Sequence, residues 1–218
     1  MKVRLLAYSQ PMKHVHSGEP GIMGLDNIQD LIAYCARVSN PGNQANTKNK
    51  HWSPFEMASA TMEIETTRDI ARQFLRHRSF SFQEFSQRYA DPNDMGQAFV
   101  IREARLQDEK NRQNSIKNDD TVLEAWWYAQ QQFIIDHTKR IYKEARERGI
   151  AKEQARAILP EGNTVSRLYA NGTIRSWIHY IELRSANGTQ QEHMDLAIET
   201  AKAIAQIYPS VENFIQEE

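Results

Sequence analysis

Apolar and polar residues alternate most clearly over 58–65. Ala58, Ala60, Met62 and Ile64 point one way, and Ser59, Thr61, Glu63 and Glu65 the other. A period of two predicts a strand with one buried face. KVRLLAYS near the N-terminus predicts a second strand, and QAFVIRE (97–103) a third. Helical spacing governs much of the rest. Ile28, Leu31, Ile32 and Cys35 form one stripe behind Asp26, which is placed to cap the helix with Gln29 three residues on. TTRDIARQFLRHR (66–78) carries Ile70, Phe74 and Leu75 at helical spacing. Residues 121–148 predict the longest helix, with Leu123, Trp127, Ile134 and Ile141 on its apolar face and Gly149 as its stop. A short helix ends before Pro160. Two more run over 174–184 and from about 192 to 208, the latter closed by Pro209. Residues 11–24 and 40–50 read as loops. Few strands among several long helices, without β-α-β alternation, predict a single α+β domain over residues 1–218. The absence of GxGxxG and GxxxxGK gives no support to a Rossmann or P-loop nucleotide site.

Composition narrows the partners. The 218 residues are 40% hydrophobic and 25% charged, as in ordinary globular proteins. Lys+Arg 27 against Asp+Glu 28 leaves a net charge of −1, so the arginines are placed locally rather than spread as a field for nucleic acid. A lone cysteine, Cys35, excludes an internal disulfide and fits a reducing compartment. It is expected in the core. No apolar run reaches membrane-spanning length, and the N-terminal apolar stretch is short for a secretory signal. The expectation is a soluble cytoplasmic protein with neither nucleic acid nor membrane as partner.

Candidate chemistry concentrates in RHRSFSFQEFSQRY (76–89). Gln73 and Arg76 are three apart, and Arg72 and Arg76 four apart, so they share a helix face. Beyond Arg78 the helical period is lost, and alternation predicts an extended loop that turns side chains and N–H groups toward a ligand. Arginine forks suit phosphate, while Gln and Ser suit a pyrimidine ring. A helix end carrying cations that complement its dipole would use the same residues without a ligand, and spacing alone leaves both readings open. Ser86 and His77 lack the orienting third group of a nucleophilic triad. His14, His16, His137 and His193 are scattered without partners at ligand spacing, so no metal is expected.

Arg76-His77-Arg78, seven residues, then Ser86 resembles the signature of the flavin-dependent thymidylate synthases, the ThyX family. Glu84, Arg88 and Tyr89 fall where the longer pattern has them. ARVS (36–39), HWSPFE (51–56), ARQFLRHR (71–78), ARAILP (155–160) and IRSWIHYIELR (174–184) agree in order and spacing, covering about residues 30 to 200. The resemblance implies a ThyX-like fold with a small, mainly antiparallel sheet and several long helices. It also implies a homotetramer whose active sites are shared between subunits. The implied reaction is reductive methylation of dUMP to dTMP without an enzyme nucleophile. Methylenetetrahydrofolate would donate the carbon, FAD carry hydride and NADPH supply the reducing power.

By position, Gln73, Arg76, Glu84, Ser86, Gln87, Arg88 and Arg156 match residues that hold dUMP. Arg184 matches the arginine beside the uracil ring, which makes it a dUMP contact and the expected catalytic residue. Ser39, Ser53, Arg76, His77, Arg78, Glu84, Ile174, Arg175 and His179 match the FAD contacts. On 174–184, Arg175, His179 and Glu182 make a polar stripe, which the resemblance turns toward flavin. Trp126 and Trp127 are expected in core and intersubunit packing. The chain departs from the pattern at Gln83, where Asn is frequent, at Gln87, where a small residue is frequent, and at His179, where some members have Asn. Residues 40–50 are a polar loop where many members have an additional helix.

Overall fold

The computed structural model describes residues 1–12, 25–38, 52–91, 94 and 96–216. Its centre is a four-stranded antiparallel sheet in the order β1-β2-β6-β3. These strands are β1 (Lys2–Tyr8), β2 (Ser59–Thr67), β6 (Val165–Thr173) and β3 (Phe80–Glu84). The alternation predicted for 58–65 is what β2 shows: Ala60, Met62 and Ile64 are fully buried and the residues between them are half-buried. Helices α1 (Ile28–Arg37), α5 (Ile174–Arg184) and α6 (Gln191–Ala205) contribute Ile28, Ile32, Trp177, Ile181, Leu196 and Ile204 to the same apolar cluster. α2 (Arg68–Phe74) follows β2 directly and buries Ile70, Ala71 and Phe74. A two-stranded hairpin, β4 (Arg105–Gln107) with β5 (Ser115–Lys117), precedes the 27-residue α3 (Thr121–Glu147), and the short α4 (Lys152–Ala155) follows it.

Several expectations are corrected. Asn27, rather than Asp26, caps α1: its Oδ1 accepts from Asp30 N at 2.9 Å while Asp30 accepts from Asp26 N at 3.2 Å. The cap forms one residue later than the pattern suggested, and the return bond goes to the residue before the cap. QAFVIRE is not a strand. Phe99 makes one bridge to Thr164, and from Arg167 onward both edges of β6 are taken by β2 and β3. Residues 80–84 are a strand instead of a loop, because Phe80 and Phe82 turn into the core side. β6 itself was not predicted: its inward positions Ser166, Ala170 and Gly172 are too small or polar to show as an apolar stripe. Cys35 is only partly buried. α6 ends at Ala205, and Pro209 instead opens a 3-10 turn, Pro209–Phe214.

The largest correction concerns α3. Its buried residues are Gln131, Ile135, Thr138 and Tyr142. Val122, Trp126, Trp127, Tyr128, Phe133 and Ile134 are exposed. Gln131 is buried because its amide is satisfied: it accepts from Arg102 N at 2.9 Å and donates to Arg102 O at 2.8 Å. These exposed residues face away from this chain's core. The expected 40–50 loop lies outside the described residues, as does most of 11–24.

Candidate active site

Two strand-to-helix junctions build the first half of the site. β2 runs into α2 at Thr67, and β6 into α5 at Thr173, whose Oγ1 accepts from Ser176 N at 3.2 Å. The end of α2 then meets the outer half of α5. The rings of His77 and Tyr180 lie 5.1 Å apart at 89°, and those of Phe74 and Tyr180 lie 4.7 Å apart. Arg184 Nε donates to His77 Nε2 at 3.2 Å. That nitrogen must therefore be unprotonated, and the ring's proton sits on Nδ1. Burial, then the positive charge of Arg184, pushes the His77 pKa down to about 4. At neutral pH His77 is an uncharged acceptor that orients Arg184.

A cleft of ≈ 420 Å³ opens beside this pair, lined by His77, Ser79, Ser176, His179, Tyr180 and Glu182 among others. The exposed ring of His179 stands 5.3 Å from that of Trp52, and Arg175 pairs with Glu56 at 3.0 Å. The polar stripe of α5 is thereby held against the 3-10 turn Ser53–Met57, at whose start Ser53 is exposed. Arg76 and Arg78 are exposed, and neither side chain has a hydrogen bond or ion pair among the described residues. Ile174 is fully buried and its N–H donates to Ala58 O at 2.8 Å. Ser39 lies outside the described residues.

The second half forms where β3 ends. Glu84 accepts from Ser166 Oγ at 2.8 Å. The carbonyl of Ser86 accepts from Tyr89 N and Ala90 N, both at 3.1 Å, making a turn. Gln87 on that turn is 3% exposed and its Nε2 has no partner among the described residues, an uncommon cost for a buried amide. Arg88 reaches out to Glu153 at 3.4 Å and lies over the Tyr89 ring, 5.7 Å from its centroid. Lys152 Nζ donates to Tyr89 O at 3.1 Å. These contacts bring the 86–89 turn to α4 and to the 3-10 turn Arg156–Ile158 that continues it. No hydrogen bond or ion pair among the described residues joins Glu84, Ser86, Gln87, Arg88 or Arg156 to Gln73, His77 or Arg184. The contacts of the sequence-predicted residues thus fall into two groups that share no hydrogen bond or ion pair among the described residues.

Two residues of the first group were not anticipated. Gln190 Oε1 accepts from Gln73 Nε2 at 2.8 Å, and His193 Nδ1 lies 3.2 Å from Gln73 Oε1. Their spacing of three at the start of a helix was the available signal, but nothing in the sequence points that face at Gln73. Among the described residues, no group of three or more His, Cys, Asp or Glu is placed to hold a metal, and no helix is long and apolar enough to cross a membrane.

The family model described as thymidylate synthase complementing protein matches residues 23–210. A probable flavin-dependent thymidylate synthase of Paramecium bursaria Chlorella virus 1 is 48% identical over 207 residues, 88% of this chain and 93% of the viral protein. A flavin-dependent thymidylate synthase of Synechocystis sp. is 45% identical over 221 residues, 97% of each chain. Among solved structures, the UMP/dUMP methylase PolB of Streptomyces cacaoi, bound with 5-Br dUMP, superposes with a TM-score of 0.74 at 24% identity. It covers 98% of this chain and 93% of its own. That likeness bears on the fold.

Proposed function

The chain belongs to the flavin-dependent thymidylate synthase family, and from that premise we propose that it methylates dUMP to dTMP with FAD as its flavin. NADPH serves as reductant and methylenetetrahydrofolate as carbon donor. The observation that carries this reading is the cleft beside the Arg184–His77 pair, with the exposed cations Arg76 and Arg78 on either side of His77 in the chain. The donor set fits a flavin dinucleotide. Arg76 and Arg78, whose side chains have no partner among the described residues, offer forks to a pyrophosphate, while His77, His179 and nearby Trp52 offer flat surfaces to a ring. Bound there, the reduced flavin would supply hydride to the uracil ring.

The chain's own residues prepare the substrate. The Arg184 guanidinium is held through Nε by His77, and its terminal amino groups have no other partner among the described residues. They are available to a uracil oxygen as negative charge builds there, the kind of preset stabilisation that contributes most in a site shielded from water. Arg88 and Arg156 are the phosphate-side cations, with Ser86 and the turn around Gln87 beside them. Glu84, fixed by Ser166, is a carboxylate acceptor of settled orientation.

The full chain, residues 1–218, acts as one domain in the cytoplasm and assembles as a homotetramer with shared sites. One feature supports the assembly: α3 carries the exposed Val122, Trp126 and Phe133 at helical spacing on one face. An apolar surface of that kind marks an interface. The test is a visible absorption spectrum after incubation with FAD and removal of the excess. Retained flavin that bleaches with NADPH is expected, whereas folded protein that retains none would overturn the assignment.

A further inference from the structure

Behind Gln73 lies a chain of hydrogen bonds whose direction is set at one end. Glu192, paired with Arg102 Nε at 3.7 Å, accepts from Gln190 Nε2 at 2.9 Å. A carboxylate partner turns the Gln190 amide so that its oxygen faces Gln73, which donates Nε2–H to it at 2.8 Å. Gln73 Oε1 is thereby turned to His193, 3.2 Å from Nδ1, and only a protonated Nδ1 completes the contact. His193 is fully buried, and its Nε2 has no partner among the described residues. Burial, then Arg184 and His77, pushes its pKa down to about 3, so it stays neutral with that single proton. Gln73 uses one N–H and one lone pair in the chain and retains one of each.

We infer that His193, Gln190 and Glu192 are positioning residues that set the amide of Gln73, so that its remaining N–H and lone pair meet dUMP in one sense. This rests on the reading of Gln73 as a dUMP contact. Without the chain the amide is free to present either end, and part of the bound population meets the substrate with its polarity reversed. None of the three positioning residues needs to touch dUMP.

The test is calorimetric titration of dUMP into the FAD-loaded protein, alongside steady-state kinetics. His193→Leu and Gln190→Met are each expected to weaken dUMP about tenfold, the loss of roughly one net hydrogen bond. They raise KM by a similar factor and change kcat by less than about threefold. His193→Asn, whose amide N–H takes the place of Nδ1–H, is expected to recover to within about threefold of the parent. Adding His193→Leu to Gln73→Ala should weaken dUMP no further, because the chain acts only through Gln73. If Gln73→Ala binds dUMP like the parent, the substrate reading of Gln73 falls and the inference with it. If Gln73→Ala weakens binding while folded His193→Leu and Gln190→Met do not, the positioning chain alone is overturned. Should His193→Leu fail to fold, the partly buried Gln190→Met decides.

Discussion

Gly172→Ala probes how the sheet holds the site. Gly172 pairs with Phe80 across the β6–β3 ladder, and a methyl group there would lie 2.4 and 2.5 Å from two atoms of the Phe80 ring. Ordinary contact begins near 3.4 Å, so the ring would have to move by about 1 Å. It has little room: Phe80 is 9% exposed, with the rings of Trp177 and Phe74 at 4.5 and 5.5 Å. Overpacking of this kind costs roughly 1–3 kcal/mol, and alanine's restriction of the unfolded chain offsets about 0.4–1 kcal/mol of it. The net loss is about 1–2 kcal/mol, a fall in Tm of roughly 2–8 °C for a chain of this size. Because Phe80 stands two residues beyond Arg78, the same displacement should weaken FAD binding. Scanning calorimetry of Gly172→Ala, Phe80→Leu and the double variant separates the causes. The shorter leucine should relieve the clash, so the double variant is more stable than the sum of the two losses allows. A Tm for Gly172→Ala at or above the parent's would refute the close-packing argument.

Other consequences follow from the site and the exposed helix. Arg184→Ala should lower kcat by roughly 10²–10³ while Tm moves by only a few degrees; parental turnover would remove Arg184 from the chemistry. His77 and His193 titrate lower folded than unfolded, so the unfolded chain takes up their protons first as pH falls. Their contribution to stability is complete above about pH 6.5 and is lost progressively toward pH 4 for His77 and pH 3 for His193. Urea unfolding between pH 4 and 8 should show that decline, less steeply in His77→Gln, and a flat profile would contradict it. Trp126→Glu combined with Phe133→Glu, at positions 55% and 69% exposed, should convert the proposed tetramer to smaller species in sedimentation. An unchanged sedimentation coefficient at the same concentration would place the interface elsewhere.

What the sequence revealed depends on how each element is held. β2 was legible because large apolar residues alternate with charged ones against a single core. α5 was legible to its last residue, since a threonine cap opens it and Ile174, Trp177, Ile178 and Ile181 are all buried. β6 was hidden because a strand paired on both sides can use Ala170 and Gly172 where larger residues would not fit. α3 shows a limit of another kind. A helical stripe records that a face is apolar and leaves open whether this chain or another covers it. The arginine-rich stretch was found by composition, yet its partners were not. His77 meets Arg184 across 107 positions, and Gln73 meets Gln190 and His193 across 117 and 120. Such contacts follow from the sheet order, which local spacing does not encode.

The central claim is tested most directly by a single turnover. FAD-loaded protein, reduced anaerobically with NADPH and freed of excess reductant, is mixed with dUMP and methylenetetrahydrofolate, and the nucleotide is analysed. The account predicts dTMP in an amount equal to the reduced flavin, with the oxidised flavin spectrum returning. Folded, flavin-loaded protein that binds dUMP yet forms no dTMP would contradict it.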